Sequence, residues 1–301
     1  MREGTARPVN MVNFEYFAPA TVEEACTLLA RYGQEAKVLA GGTDVLIFLR
    51  DGKLRPRALV DITRIPGLDG VSYDGSTGLR LGALATLRAI EKNPVVAAHY
   101  PHLVSAIREV GSIQIRNLAT VMGNVCNSSP AADTVPPLLT MEAAVRLVGP
   151  QGERTVPLTQ FFTGPGQNVI APGELAVELI APPPPPHTGG AYYKLAARRA
   201  MDIAFVGVAA QVSRDNGTLT DVRIALGAVA PTPVRATAAE EVLRGRTLTE
   251  ELLEQAGQAA LAAASPISDH RASAEYRRAM VPVLTKRLVR QAYQLAGGES
   301  A

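Results

Sequence analysis

Hydrophobic and polar positions change their period several times along this chain, and those changes divide it into segments. Val22, Ala25, Cys26 and Leu29 recur at helical spacing behind Thr21 and Glu24, a capping box, and Gly33 supplies the stop. Lys37-Val38-Leu39-Ala40 is a short apolar run that ends on Gly41-Gly42, which reads as a strand turning into a helix. Residues 58–62 and 78–82 read as strands, and residues 101–110 as a helix that stops at Gly111. Residues 143–148 and 154–157 read as a hairpin, followed by a strand over 175–180. Five consecutive prolines then occupy 182–186. Proline fixes φ and donates no backbone hydrogen bond, so this run belongs neither in a helix nor inside a sheet. It reads as a stiff spacer between domains, with a docking site for a proline-binding module as the other reading. Beyond it, 191–197, 204–214 and 218–228 read as three strands, the last two joined at Asn216-Gly217, and helices follow over about 236–244, 250–264 and 274–296. Strands followed by helices make this half α+β. The expected organisation is a first domain over 9–181 with subdomains 9–62 and 63–181, a linker over 182–190, and a second domain over 191–297.

Composition narrows the function. With 47% hydrophobic and 19% charged residues over 301 positions, the chain is globular rather than disordered. Thirty basic against 28 acidic residues leave a net charge of +2, which gives no electrostatic footprint for nucleic acid or an anionic membrane. No apolar run is long enough for a transmembrane segment, and the first 17 residues lack the apolar stretch of a secretory signal. Together with sparse cysteine, this points to the cytoplasm. The two cysteines, Cys26 and Cys126, cannot carry an iron–sulfur cluster or a four-thiolate zinc site. Cys26 reads as core and Cys126 as a small buried side chain. The four histidines read as surface or loop residues; Pro101 between His99 and His102 argues against a metal pair, so no metal ligand is expected. Dinucleotide, Walker A, H-E-x-x-H and G-x-S-x-G signatures are absent.

Two glycine-bearing segments remain. Lys37 to Asp44 is a strand that turns on two glycines, where consecutive N–H groups form an anion nest and Thr43 adds a hydroxyl; an ordinary turn is the alternative. Gln114 to Thr134 is dense in small donors and acceptors, among them Asn117, Thr120, Gly123, Asn124, Asn127, Ser128 and Asp133. It reads either as a wrap around a polar ligand or as a long polar loop capping the next helix.

Taken together, the segments resemble the flavin-binding proteins of the molybdenum hydroxylase family, most closely the FAD-carrying medium subunits of aerobic carbon monoxide dehydrogenase and bacterial xanthine dehydrogenase. The likeness is collinear: Phe14-Glu-Tyr-Phe-Ala-Pro19, Leu39-Ala-Gly-Gly-Thr-Asp44, Gln114-Ile-Arg-Asn117, Thr120-Val-Met-Gly-Asn124, Asn127-Ser-Ser-Pro-Ala-Ala-Asp133, and Tyr192-Tyr-Lys194 with Arg198-Arg-Ala-Met-Asp-Ile203. It implies an α+β chain: a two-subdomain FAD-binding fold of the PCMH type, followed by a three-stranded antiparallel sheet with a helical bundle. It implies FAD, with Lys37, Val38, Leu39, Ala40, Gly41, Gly42, Thr43 and Asp44 wrapping the diphosphate and Ala119, Thr120, Gly123 and Asn124 on its other side. Ser128 and Asp133 match positions at the adenosine half. Lys194 matches a lysine near the flavin ring, where a cation raises the potential by stabilising the reduced anion. Val110 and Ile203 match positions flanking the ring, Ala176 a backbone contact, and Tyr193 an aromatic beside the ring. The family reads Gly-Gly-Asn where this chain has Met122-Gly123-Asn124, and Met122 is expected in the β region with its side chain turned away.

The resemblance also implies partners: a small subunit with two [2Fe-2S] clusters and a large subunit with the molybdenum cofactor, in a dimer of heterotrimers. This chain lacks cysteines for the clusters, so it is expected to accept electrons from the iron–sulfur subunit and pass them to a terminal acceptor. The other function classes are a free-standing FAD-dependent oxidoreductase with its own small-molecule substrate, and a flavin-free scaffold.

Overall fold

A computed structural model describes residues 13–297. Residues 1–12, which carry much of the segment examined for a secretory signal and the expected domain start at residue 9, lie outside the described residues. The chain opens with β1 (Glu15–Phe17), α1 (Val22–Tyr32), β2 (Ala36–Leu39), α2 (Val45–Arg50) and β3 (Ala58–Asp61). These strands form a parallel sheet in the order β1-β3-β2, with the buried face of α1 (Ala25, Cys26, Leu29 and Tyr32) against the core. Thr21 caps α1 as expected: its Oγ1 accepts from the Glu24 N–H, and Glu24 reaches back to the N–H of Ala20 rather than that of Thr21.

The second subdomain contains β4 (Val71–Asp74), β5 (Gly78–Gly82), α3 (Leu87–Lys92), α4 (Pro94–His99), α5 (Pro101–Arg108), α6 (Ile113–Leu118), α7 (Val121–Cys126), α8 (Val135–Thr140), β6 (Ala144–Gly149), β7 (Gly152–Pro157), β8 (Phe162–Gly164), β9 (Gln167–Asn168) and β10 (Leu175–Ala181). Its main sheet is antiparallel in the order β4-β5-β10-β6-β7. The helix expected over 101–110 ends at Arg108, two residues early. The segment read as a wrap around a polar ligand or a long polar loop holds two short helices, α6 and α7, capped by Ser112 and Thr120.

After the prolines come β11 (Thr188–Leu195), β12 (Val206–Asp215), β13 (Thr218–Gly227), β14 (Val234–Arg235), α9 (Thr237–Leu243), α10 (Glu250–Ala259) and α11 (Ala274–Leu295). The sheet has four strands rather than three, because Val234–Arg235 adds a short edge to β13. Strand β11 begins at Thr188, so three residues expected in the linker belong to the sheet. Asn216 and Gly217 both have positive φ, as a two-residue hairpin turn demands.

One face of this sheet packs on α9–α11, and the other packs on α5 and α8. Strand β11 fits between two helices through its glycines: a Cβ at Gly189 would overlap the Ala292 carbonyl of α11, and one at Gly190 the His102 imidazole of α5. His102 is therefore not a surface residue; it is 2% exposed and both ring nitrogens lack protein partners among the described residues. Burial lowers its pKa from 6.5 to about 4. The unfolded chain binds this proton below pH 6.5 and the folded chain only near pH 4, so stability is full above 6.5 and falls as pH drops between the two values. The loss amounts to roughly 3 kcal/mol. Urea denaturation from pH 7 to 4 should show this slope, and His102→Gln should flatten it; an unchanged slope contradicts the assignment.

Candidate functional site

The first glycine segment leaves the carboxyl end of β2, just past the point where the Ile62 N–H donates to the Leu39 carbonyl at 3.0 Å. Gly42 turns the chain at φ +72°, a left-handed conformation that costs glycine little. Gly41 is needed for a different reason. A Cβ there would overlap the carbonyl oxygen of Leu118, so the first segment rests backbone to backbone on Leu118–Ala119 of the second. Among the described residues, the N–H groups of Gly41, Gly42 and Thr43 have no acceptor. Free N–H groups at the carboxyl end of a parallel strand are the kind of donor that an anion cradle is built from. Lys37 is exposed, whereas Val38, Leu39 and Ala40 are half-buried along the approach. Burial pushes the Asp44 carboxyl above its ordinary range.

The second segment is fixed from below. Leu87 N–H donates to the Ala119 carbonyl at 2.8 Å and Val121 N–H to that of Ala85 at 3.3 Å. Thr120 Oγ1 accepts the Gly123 N–H at 2.9 Å, which starts α7. Met122 sits in that helix, not in the β region, and its side chain is buried in the core. Its backbone carries no left-handed strain. Asn124 Oδ1 accepts from Thr134 Oγ1 at 2.6 Å. Leu46 and Leu118, 52% and 61% exposed, supply an apolar rim where the two segments meet.

Other expected residues take different roles. Ser128 is fully buried; its hydroxyl donates toward the Val125 and Cys126 carbonyls and accepts from Asn168 Nδ2 at 3.0 Å. It holds a left-handed corner at φ +53° and presents nothing to a ligand. Asp133 and Lys194, expected at opposite halves of an extended cofactor, form one buried ion pair at 2.8 Å. Tyr192 donates to the other oxygen of Asp133 at 2.8 Å. Burial raises the Asp133 carboxyl, although Lys194 and Tyr192 oppose the shift. Burial and the neighbouring carboxylate push the Tyr192 phenol well above its ordinary value.

Alternate strand residues point to opposite faces, so Tyr193 faces away from Lys194 and Tyr192 shares its side. Tyr192, not Tyr193, is the aromatic on the Lys194 side of β11. Val110 is half-buried directly after α5. Ala176 lies within the N-terminal core at a register shift of β10. Ile203 is 47% exposed, and it lines a separate surface cavity of about 480 Å³ with Arg198, Met201, Phe205 and Arg271. Cys26 is core, and burial pushes the Cys126 thiol up to about 12, the state of an inert side chain. Arg116, inside the Gln114–Asn117 segment, carries no expected role. It is buried, and its guanidinium binds Glu91 and the carbonyls of Arg108 at the end of α5 and of Val110 beyond it.

Comparison with known proteins decides the family. Residues 12–184 match the FAD binding domain in molybdopterin dehydrogenase, and residues 191–292 the CO dehydrogenase flavoprotein C-terminal domain. The chain belongs to the FAD-binding molybdopterin dehydrogenase family. It is 38% identical over 285 residues to the xanthine dehydrogenase FAD-binding subunit of Escherichia coli O157:H7, covering 94% of this chain and 97% of that one. It is 36% identical over 280 residues to the carbon monoxide dehydrogenase medium chain of Hydrogenophaga pseudoflava, covering 93% and 97%. A solved carbon monoxide dehydrogenase from H. pseudoflava, lacking the Mo-pyranopterin moiety, superposes with a TM-score of 0.90 at 37% identity over 94% of this chain and 98% of that one. This member of the family is an FAD-dependent oxidoreductase subunit of the xanthine dehydrogenase and carbon monoxide dehydrogenase type. No helix among its described residues is long and apolar enough to cross a membrane.

Proposed function

We propose that the chain is the electron exit of a molybdenum-containing hydroxylase, with FAD held between the Ala40–Asp44 and Ala119–Asn124 backbones. The observation that carries this reading is the Gly41 contact on Leu118–Ala119, which unites two segments 77 positions apart into one cradle with three N–H donors. A diphosphate suits those donors, and Leu46 and Leu118 suit the flat apolar parts of the same molecule. Bound flavin supplies the redox chemistry, and the protein positions and tunes it. On this side the chain contributes Lys194, held by Asp133 and the Glu109 carbonyl, as a fixed positive end beside the ring. Val110 follows Glu109, whose carbonyl Lys194 binds, and Tyr192 shares Asp133 with that lysine.

We further propose that electrons arrive from a small subunit with two [2Fe-2S] clusters, after oxidation of substrate at a molybdenum cofactor on a large subunit. The complex would be a dimer of heterotrimers in the cytoplasm. The two cysteines support this division of labour, since one is core and the other a half-buried thiol with a raised pKa. Tagged chain isolated from its host should bring two further chains in equal number, one with iron and acid-labile sulfide and the other with molybdenum. Recovery alone, with flavin reduced directly by a small organic substrate, selects the free-standing oxidoreductase instead.

A further inference from the structure

The carbonyls of Arg108, the last residue of α5, and of Glu109 and Val110 just beyond it accept no backbone N–H among the described residues, and two buried cations bind them. Arg116 donates through one nitrogen to the Arg108 carbonyl at 3.2 Å and the Val110 carbonyl at 3.0 Å. Lys194 donates to the carbonyl between them, that of Glu109, at 3.1 Å. The last carbonyls of a helix are its negative end, so cations there are stabilised by the dipole as well as by the bonds. The two side chains come from different halves of the molecule: Arg116 from α6 and Lys194 from β11. They share no direct bond, but they grip three consecutive peptides.

The orientation of each cation is fixed from behind. The Arg116 Nε donates to Glu91 at 3.1 Å, and Glu91 also pairs with Arg88 at 2.9 Å. Burial acts to raise the Glu91 carboxyl, yet the bonds from Arg88 and Arg116 outweigh it and hold it below its ordinary range. Lys194 is held by Asp133, as described above. A continuous chain of bonds therefore runs from Glu91 through Arg116 and residues 108–110 to Lys194, Asp133 and Tyr192.

We propose that Arg116 is a positioning residue for Lys194: by fixing the peptides after α5 it sets the place of the Glu109 carbonyl, and through it the place of the ammonium. The flavin arm of this inference rests on the reading of Lys194 beside the ring. The stability arm does not. Residues without shared partners contribute additively to stability, whereas residues acting through a common element do not.

The test is a double-mutant cycle of Arg116→Lys and Lys194→Met, followed by denaturant unfolding of the FAD-free protein. Arg116→Lys keeps the charge but replaces the planar fork, so it cannot hold Glu91 and two carbonyls in the same geometry. The double variant should lose less than the two single losses combined. In FAD-loaded protein, Arg116→Lys should shift the flavin midpoint potential downward, as Lys194→Met does, and should add no shift once Lys194 is gone. Glu91→Gln, which loosens Arg116 from its far side, should repeat that shift in smaller measure and serves if Arg116→Lys does not fold. Additive losses, or an Arg116→Lys shift that persists without Lys194, overturn the inference. An unchanged potential in Lys194→Met removes the lysine from the flavin, and the cycle in FAD-free protein still decides the coupling.

Discussion

Replacing Lys194 by methionine is expected to cost about 3–5 kcal/mol of folding stability, the range for stripping one partner from a buried ion pair. Its side chain is 4% exposed and that of Asp133 9%, so water cannot substitute for the ammonium. The remaining carboxyl is already raised by burial, and without its cation it rises further. A folded-state pKa above the unfolded value means that the fold binds the extra proton. Stability then declines as pH rises through the folded value. The variant should therefore be less damaged at pH 5 than at pH 8 by denaturant unfolding. Removing the charge from both positions, with Asp133→Asn and Lys194→Met together, should recover much of the loss, because two neutral partners no longer demand solvation. A loss independent of pH and not relieved by the second change contradicts the ion pair as the source.

Gly41→Val attacks the cradle itself. The backbone at Gly41 is not in the left-handed region, so conformational strain is not the issue. A side chain of any size collides with the Leu118 carbonyl and the Ala119 backbone, neither of which can rotate away. Overpacking of this kind costs about 1–3 kcal/mol, so the protein should still fold. The two segments must move apart, and losing one N–H bond to a charged diphosphate, worth about 1.5–3 kcal/mol, lowers affinity roughly 10- to 150-fold. FAD affinity should fall by that factor in equilibrium titration while the far-ultraviolet spectrum stays that of the parent. Gly42→Ala makes a useful contrast: it is strained by its φ of +72° but meets only the flexible side chains of Leu46 and Leu39. It should affect stability more than affinity.

The sequence made some of this site legible because the signals were local. A strand ending on Gly41-Gly42 marks the turn, Asn216-Gly217 marks the hairpin, and Thr21 with Gly33 bounds the first helix. The helices α6 and α7 were hidden because each is six residues long, under two turns, which is too short to display a helical period. Their caps, Ser112 and Thr120, lacked the glutamate that completes a capping box. The fourth strand of the C-terminal sheet is two residues long and has no pattern at all. The pairing of Asp133 with Lys194 spans 61 positions, and only the pleat of β11 shows which of two adjacent tyrosines joins them. His102 looked like a loop residue until Gly190, 88 positions away, proved to be the notch it fills.

FAD-stripped full-length protein titrated with FAD, with amide hydrogen exchange followed at saturation, tests the placement of the cofactor most directly. One equivalent should bind per chain, and protection should rise together at Gly41–Thr43 and at Met122, where the open N–H groups of the two segments lie. Binding that leaves both segments unprotected, or protects one without the other, contradicts a cofactor held between them.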